Sequence, residues 1–586
     1  MHSDAAVAKP RPKRRPRICR ACDACYKRKI QCDAATPRCN WCHHHDLPCT
    51  FKRNQERNQE RSKAHHHPSD TQQSSSKETL ASQGPNRRSN SSSRPHNSDL
   101  GSGVGPQSNL HVAGYALGNL CTFNGLPFFS PTGRQWIKSR TGEDVNLAHM
   151  SPRPSTSNQV TSTGVLHAVA LPEKEVVVQL LDEWGPSVFS RLFPFINKEL
   201  LEFTIKAAYH DEVTVSSPGT DSARACIHAF TAVCLSSSIY HGHQVMHAED
   251  HVHAAYKLLP GLLIESVTLD GLQTVLMLCL CSLVVTGNIF YLEMLLAASS
   301  RFVFHLNGHL APVYVNDDQF KINLHIRTLF WICYIIDKEF SLRTGHPPCL
   351  DETHCDLTLP DNQRTTQEFL TCIRLAILQS QVYHGLYSMK ALNQPDAQLL
   401  GTIRDLDNAL ETWRMSIPAR NRPRLIDRET DVISTPNTLI QLQYLYCMAM
   451  IHQASGKCSI WIQKHDTSEA GSSLAISVEA SRSMLQKFLD DRLHFDKSNL
   501  RFCLPYFLTA ICHLFSNILL NPLDEGSDDD LDLIQSVPTH IRDRLPPEIP
   551  RLSSHQVQLF EDFVMELGRL ASSAINKAQG IFEAKN

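Results

Sequence analysis

Six cysteines stand in a spacing that can hold metal. Cys22-x2-Cys25-x6-Cys32 and Cys39-x2-Cys42-x6-Cys49 are two copies of one pattern, separated by six residues. Thiolates two residues apart can wrap a single ion, and the third ligand of each copy returns after a short helix and loop. Zinc takes four tetrahedral ligands, so two ions need eight bonds. Six thiolates supply eight bonds only if two of them are shared. The repeat points to the first cysteine of each half, Cys22 and Cys39, as the shared pair. A segment this small has little apolar surface to bury, so metal is expected to fold it; structural zinc supplies about 10–16 kcal/mol in small domains at neutral pH. Cys19 forms a second C-x2-C with Cys22, but the two halves match only when counting starts at Cys22. Cys19 is therefore expected to lie outside the ligand set. His43, His44 and His45 are expected in an exposed loop, because soft thiolates already complete the set.

The charge around these cysteines is one-sided. Residues 1–53 carry 13 Lys and Arg against four Asp and no Glu, a balance of +9 in a chain whose net charge is −2. Lys27, Arg28 and Lys29 lie inside the first half of the repeat, and PRPKRRPR, residues 10–17, lies just before it. A basic end on a neutral-to-acidic body is the electrostatic footprint of a nucleic-acid partner. Lys and Arg donate to guanine O6 and N7 in the major groove, and cations outside the groove contact phosphate. Arg14 and Arg15 suit backbone contact or nuclear import. A zinc module that serves only folding or protein contact is the alternative.

The stretch ACDACYKRKIQCDAATPRCNWCHHHDLPC, Ala21 to Cys49, resembles the fungal Zn2Cys6 binuclear cluster family. The family's DNA helix usually reads C-R-x-R-K-x-K-C. Here it reads Cys25-Tyr26-Lys27-Arg28-Lys29-Ile30-Gln31-Cys32, so Arg28 and Lys29 match while Tyr26 and Gln31 replace basic residues. Pro37 before Cys39 also matches. The resemblance implies that the helix after Cys25 enters the major groove and that Lys29 with Arg28 reads a CGG-like triplet.

The chain around this module divides by composition. Residues 1–18 form a basic tail and 19–53 the metal module. Residues 54–108, rich in Ser, Gln, Asn, His and Arg, cannot bury enough apolar surface to order themselves and are expected to be a disordered linker. Residues 109–175 form a connecting segment in which LPFFSPTGRQWI looks ordered, its Pro and Gly arguing against a long helix. Residues 176–586 are expected to be one large all-α domain. The segment from His325 to Arg343 puts Ile326, Leu329, Phe330, Cys333, Ile336 and Phe340 on one face, and Gly345 with Pro347 and Pro348 stops it. Val557 to Phe582 has a similar stripe, with Ser553 or Ser554 as its cap. No alternating strand series is visible. Residues 524–534 read as an acidic loop, or as an activation segment mixing carboxylates with Leu and Ile.

Several function classes are excluded or disfavoured. The first residues have no apolar core and do not read as a secretory signal. The longest apolar run, Leu272 to Val285, has 14 residues and is too short to span a bilayer, so it reads as a buried core helix and no membrane partner is expected. The 13 cysteines beyond Cys49 read as reduced thiols. His247 and His251 have a metal-compatible spacing, but Ala248 stands where a metalloprotease needs Glu. No phosphate loop, dinucleotide fingerprint or nucleophile elbow is present, so an enzyme is not expected.

A second resemblance, over residues 176–450, is to the fungal-specific transcription factor regulatory domain, or middle homology region. It rests on GLQTVLMLCLCSLVVTGN, AASSRFVFHLNGH and above all IRTLFWICYIIDKEFSLRTGHPPCLDETHCDLTLP, with Arg327, Leu329, Phe330, Trp331, Asp337, Gly345, Pro347, Leu359 and Pro360 in the family's order. Phe330 and Trp331 read as helix core, and Arg327 and Asp337 as groups that pair with or cap neighbouring helices. Together the two resemblances imply a nuclear, sequence-specific DNA-binding regulator of RNA polymerase II transcription. It would hold two Zn2+ per chain, act as an activator of a metabolic or biosynthetic gene set, and engage the transcription machinery or coactivators. The alternative is a zinc-dependent protein-interaction regulator without sequence-specific DNA contact. Between residues 54 and 99 only Ala64, Leu80 and Ala81 are aliphatic, too few for a coiled coil. Any homodimer is therefore expected through the helical region.

Overall fold

The computed structural model describes residues 22–24, 32, 38–39, 42, 49–50, 108–121, 125–147, 169–209, 219–237, 239–242, 245–361, 363–425, 435–458, 471–490, 497–544 and 551–584. The chain forms two compact units, residues 1–103 and 104–586. The first holds the cysteine repeat. The second is a helical body.

The body opens on a small antiparallel sheet in the order β1 (Leu110–Val112), β2 (Tyr115–Asn119), β3 (Phe128–Phe129). These strands have three, five and two residues, too short for a period of two to register in the sequence. Gly118 is required where β2 crosses β3, because a Cβ there would stand 1.7 Å from Phe128 O. Ser130 then caps α1 (Pro131–Thr141), its hydroxyl accepting from Gly133 N at 2.9 Å, with Pro131 in the first turn where its missing N–H costs nothing. The Pro and Gly that argued against a long helix here start one of 11 residues.

Packed helices follow: α2 (Lys174–Trp184), α3 (Val188–Leu192), α4 (Lys198–Ala208), α5 (Thr220–Ser236), α6 (Ala248–Ile264), α7 (Leu269–Cys281) and α8 (Ile289–His305). The apolar run expected in the core forms α7 and a π-helical turn over Ser282–Thr286. Residues 269–286 and 502–520 are long and apolar enough to cross a membrane by composition, but 78 % of each window is buried inside the body. They are core helices here.

The next helix, α9 (Asp317–Thr344), has 28 residues and lies at the centre. The sequence predicts one apolar face. In the structure, from His325 onward, nearly every residue is buried, charged ones included. Neighbours α7, α8 and α10 surround it, so polar positions off the stripe face protein rather than water. Each buried charge is matched: Asp337 accepts Cys349 N at 2.7 Å and Leu350 N at 3.1 Å, Lys338 donates to Leu350 O at 2.5 Å, and Arg343 pairs with Glu339. Gly345, at φ 76°, closes the helix.

The remaining helices are α10 (Gln367–Val382), α11 (Met389–Leu392), α12 (Asp396–Met415), α13 (Thr435–Gln453), α14 (Gly471–Leu489), α15 (Lys497–Leu520), α16 (Ser527–Arg544) and α17 (Arg551–Glu583). The run expected as an acidic loop, 524–534, becomes helix at Ser527. Its Asp528, Asp529 and Asp530 occupy the first turn, where the helix dipole favours anions. Asp530 is fully buried and accepts two hydrogen bonds from Arg482 of α14, at 2.6 and 3.0 Å. α17 carries the expected stripe, with Phe560, Val564, Leu567, Ala571 and Ala574 buried, but it begins at Arg551, so Ser553 and Ser554 lie inside it.

Residues 109–147 are part of the body. Asn109 Nδ2 donates to Arg343 O at 2.8 Å and Asn119 Nδ2 to Thr344 O at 2.7 Å, satisfying carbonyls that the end of α9 leaves without helical partners. α17 closes over α1, where Lys577 donates to Ser139 O at 2.9 Å and Arg569 pairs with Glu143.

Candidate metal centre and nucleic-acid interface

In the first unit, Cys22, Cys39 and Cys42 are fully buried, with Ala24, Cys32 and Cys49 packed against them. Cys22 Sγ stands 3.7 Å from Cys39 Sγ and 3.6 Å from Cys42 Sγ. The sulfurs of Cys22, Cys39, Cys42 and Cys49 all lie within 4.8 Å of one another. Zinc–sulfur bonds of about 2.3 Å in a tetrahedron place sulfurs ~3.8 Å apart, so the spacing fits a tetrathiolate zinc site. Three of these four thiols belong to the second half of the repeat, and the fourth, Cys22, comes from the first.

The two halves repeat in detail. Cys22 N donates to Cys32 Sγ at 3.4 Å, and Cys39 N donates to Cys49 Sγ at 3.4 Å, so each half folds its third cysteine onto the amide of its first. Cys42 N donates to Cys39 Sγ at 3.4 Å across the C-x2-C turn. Burial, and then the Cys39 and Cys22 thiols beside it, push the Cys42 thiol well above its usual range. Thiols this crowded do not ionise together without a cation among them. The sequence reading missed a clasp that joins the ends of the module. Asp23 N donates to Thr50 O at 2.6 Å, and the Thr50 hydroxyl donates to Asp23 Oδ2 at 2.7 Å. The signal was positional, since each residue directly follows the first or last ligand. Cys25, Lys27, Arg28, Lys29, Arg14 and Arg15 lie outside the described residues, as do Cys19 and His43 to His45.

Residues 20–59 match the family described as the fungal Zn(2)-Cys(6) binuclear cluster domain, and residues 187–415 match the fungal specific transcription factor domain. The chain thus carries the two domains of a fungal zinc-cluster transcription factor. It is similar to an ABC-transporter-regulating transcription factor of Aspergillus oryzae, 24 % identical over 97 % of this chain and 74 % of that one. It is also similar to an uncharacterized transcriptional regulatory protein of Schizosaccharomyces pombe, 23 % identical over 90 % and 73 % of the two chains. The Fusaridione A cluster transcription factor of Fusarium heterosporum is 32 % identical over a shorter stretch, 15 % of this chain and 19 % of that protein. This zinc-cluster factor is a DNA-binding regulator of transcription that binds zinc through its N-terminal module.

The regulatory domain of the zinc-cluster factor explains its signature residues by packing. Phe330 and Trp331 are buried in the core, as expected. Arg327 and Asp337 do not meet each other. Arg327 stacks on the Phe330 and Trp331 rings, 4.5 and 5.0 Å from their centroids, and donates to three carbonyls: Gly308 at 3.2 Å, Asp356 at 2.5 Å and Thr358 at 3.3 Å. A planar guanidinium can bind two loops at once in this way, where an ammonium cannot. The His247 and His251 pair does not form. His247 precedes the first turn of α6, while His251 is buried and meets His228 of α5, their Nδ1 atoms 3.0 Å apart. Burial, and then His251, lower His228 to about 4. The His228–His251 pair is a neutral contact between α5 and α6.

Proposed function

We propose that this chain holds two Zn2+ through Cys22, Cys25, Cys32, Cys39, Cys42 and Cys49, with Cys22 and Cys39 shared between the ions, and reads CGG-like triplets in the nucleus. The reading rests on one observation: the thiol of Cys22, from the first half of the repeat, joins the three thiols of the second at tetrahedral spacing. Bound zinc supplies the cross-links that fold a module with almost no apolar core. The chain's own residues do the rest. The Asp23–Thr50 clasp closes the module. Lys29 and Arg28 donate to guanine edges in the major groove, Lys27 contacts backbone, and Arg14 and Arg15 add sequence-independent phosphate contacts.

The output is activation of RNA polymerase II transcription at a metabolic or biosynthetic gene set, through the transcription machinery or coactivators, with two copies of the chain occupying paired half-sites. The names of the relatives, one an ABC-transporter-regulating factor and one a Fusaridione A cluster factor, support a dedicated gene set. Native mass spectrometry of the full chain tests the metal assignment. Two zincs are expected, and Cys39→Ala should release metal. A count of one, or a count unchanged by Cys39→Ala, overturns the shared-thiolate cluster.

A further inference from the structure

Between α8 and α9 the chain runs Leu310-Ala311-Pro312-Val313-Tyr314-Val315, six successive apolar residues. Its large side chains stand open: Leu310 is 47 %, Val313 71 %, Tyr314 63 % and Val315 64 % exposed. Single exposed apolar side chains are ordinary, but a consecutive run of this length on a folded surface marks an interaction site.

The run is held in place. Asn307, in the left-handed region at φ 57°, ends α8 and turns the chain outward. Arg327 clamps Gly308 O, and Asp356 N donates to His309 O at 2.9 Å. At the other end Asn323 Nδ2 donates to Val313 O at 3.3 Å, Tyr314 OH donates to Asp317 Oδ1 at 3.0 Å, and the Tyr314 ring lies 5.5 Å from that of Phe320. A surface fixed from behind in this way loses little conformational entropy on docking.

The flanks of the run indicate its occupant. Before it, Arg301 and His305 lie exposed on the last turns of α8; after it, Asp317 and Asp318 lie exposed on the first turn of α9. When the run is laid antiparallel on itself about a two-fold axis, Arg301 of each copy falls on the side of the carboxylates of the other. Such self-complementarity is what an isologous contact requires. An anionic surface would instead meet Asp317 and Asp318 with like charge. The linker, with three aliphatic residues between 54 and 99, leaves the joining of two copies to the body.

We propose that residues 310–315 form the contact through which a second copy of this chain docks, antiparallel, onto the first. The proposal rests on the reading that two copies act together on paired half-sites. Sedimentation of the full chain without DNA tests it. The wild type dimerises, and a Val313→Asp, Val315→Asp double variant dissociates with self-affinity weakened about a hundredfold and an unchanged melting temperature. Arg301→Glu and Asp318→Arg, both at exposed positions, each weaken the dimer, and the two together restore it. Should the Asp variant fail to fold, the charge-reversal pair carries the test alone. A wild type that stays monomeric, an Asp variant that dimerises like the wild type, or a charge-reversed pair that does not recover overturns the proposal. Single-triplet DNA binding, measured in parallel, is unchanged in the dissociated variant. Loss of that binding in the wild type would defeat the DNA reading and leave the dimer result standing.

Discussion

At the scale of single residues, the proposed function divides the basic side chains into base and phosphate contacts. On the proposed reading Lys29 contacts a base, so Lys29→Ala should cut discrimination between triplet-bearing and random duplexes by about 1–3 kcal/mol. Arg14→Ala and Arg15→Ala should weaken both duplexes alike and flatten the dependence of affinity on salt. Paired titrations at several salt concentrations separate the two; an equal loss on both DNAs for Lys29→Ala would make Lys29 a phosphate contact. Cys19→Ser should leave metal content unchanged, measured by native mass spectrometry; a loss like that of Cys22→Ser would shift the register of the repeat. The gathering of Cys22, Cys39, Cys42 and Cys49 was legible in the sequence because thiol spacing is a local property. That Cys22 would approach the second half could be counted from bonds, and in the structure its sulfur stands 3.7 Å from that of Cys39 and 3.6 Å from that of Cys42. The Asp23–Thr50 clasp was missed because its signal is only positional: the two residues follow the first and last ligands and lie 27 positions apart.

At the scale of elements, α9 is the test case. Its apolar stripe was readable from the period, but its full burial was not. Periodicity reports one helix against one partner and does not count how many neighbours surround it. Asp337, Lys338, Glu339 and Arg343 lie off that stripe and are nevertheless buried, matched to backbone or to each other. Arg327→Leu would leave the carbonyls of Gly308, Asp356 and Thr358 without their donor, at a cost of about 3–5 kcal/mol. Arg327→Lys should recover only part, since one ammonium cannot span both loops; thermal melts of the two variants check the order. The contact of α5 with α6 carries a pH dependence. His228 is held neutral, at about 4 in the folded body against 6.5 when free. Acidification through that window protonates the unfolded chain first, so stability present above pH 6.5 is lost as pH falls toward 4, by up to about 3 kcal/mol from this residue. Melting temperature against pH should fall less steeply in His228→Gln than in the wild type; equal slopes would remove His228 from the acid response.

At the scale of the whole molecule, the division into a cysteine-rich unit and a helical body was legible from composition alone, because charge and apolar content change abruptly near residues 53 and 109. The place of residues 109–147 in the body was not. Asn109 and Asn119 end their side chains on carbonyls of Arg343 and Thr344, more than 200 residues further on, and strands of two to five residues leave no period to read. The central claim is that a metal-folded module at one end of this chain reads DNA sequence for a helical regulatory body. A competition titration of the full chain addresses it most directly. A duplex carrying two CGG-type triplets is set against a scrambled duplex of the same length at one fixed salt concentration, before and after zinc is removed with a chelator. The account predicts a preference for the triplet duplex of roughly a hundredfold or more that disappears with the metal. Equal affinity for the two duplexes, or a preference that survives zinc removal, would contradict it.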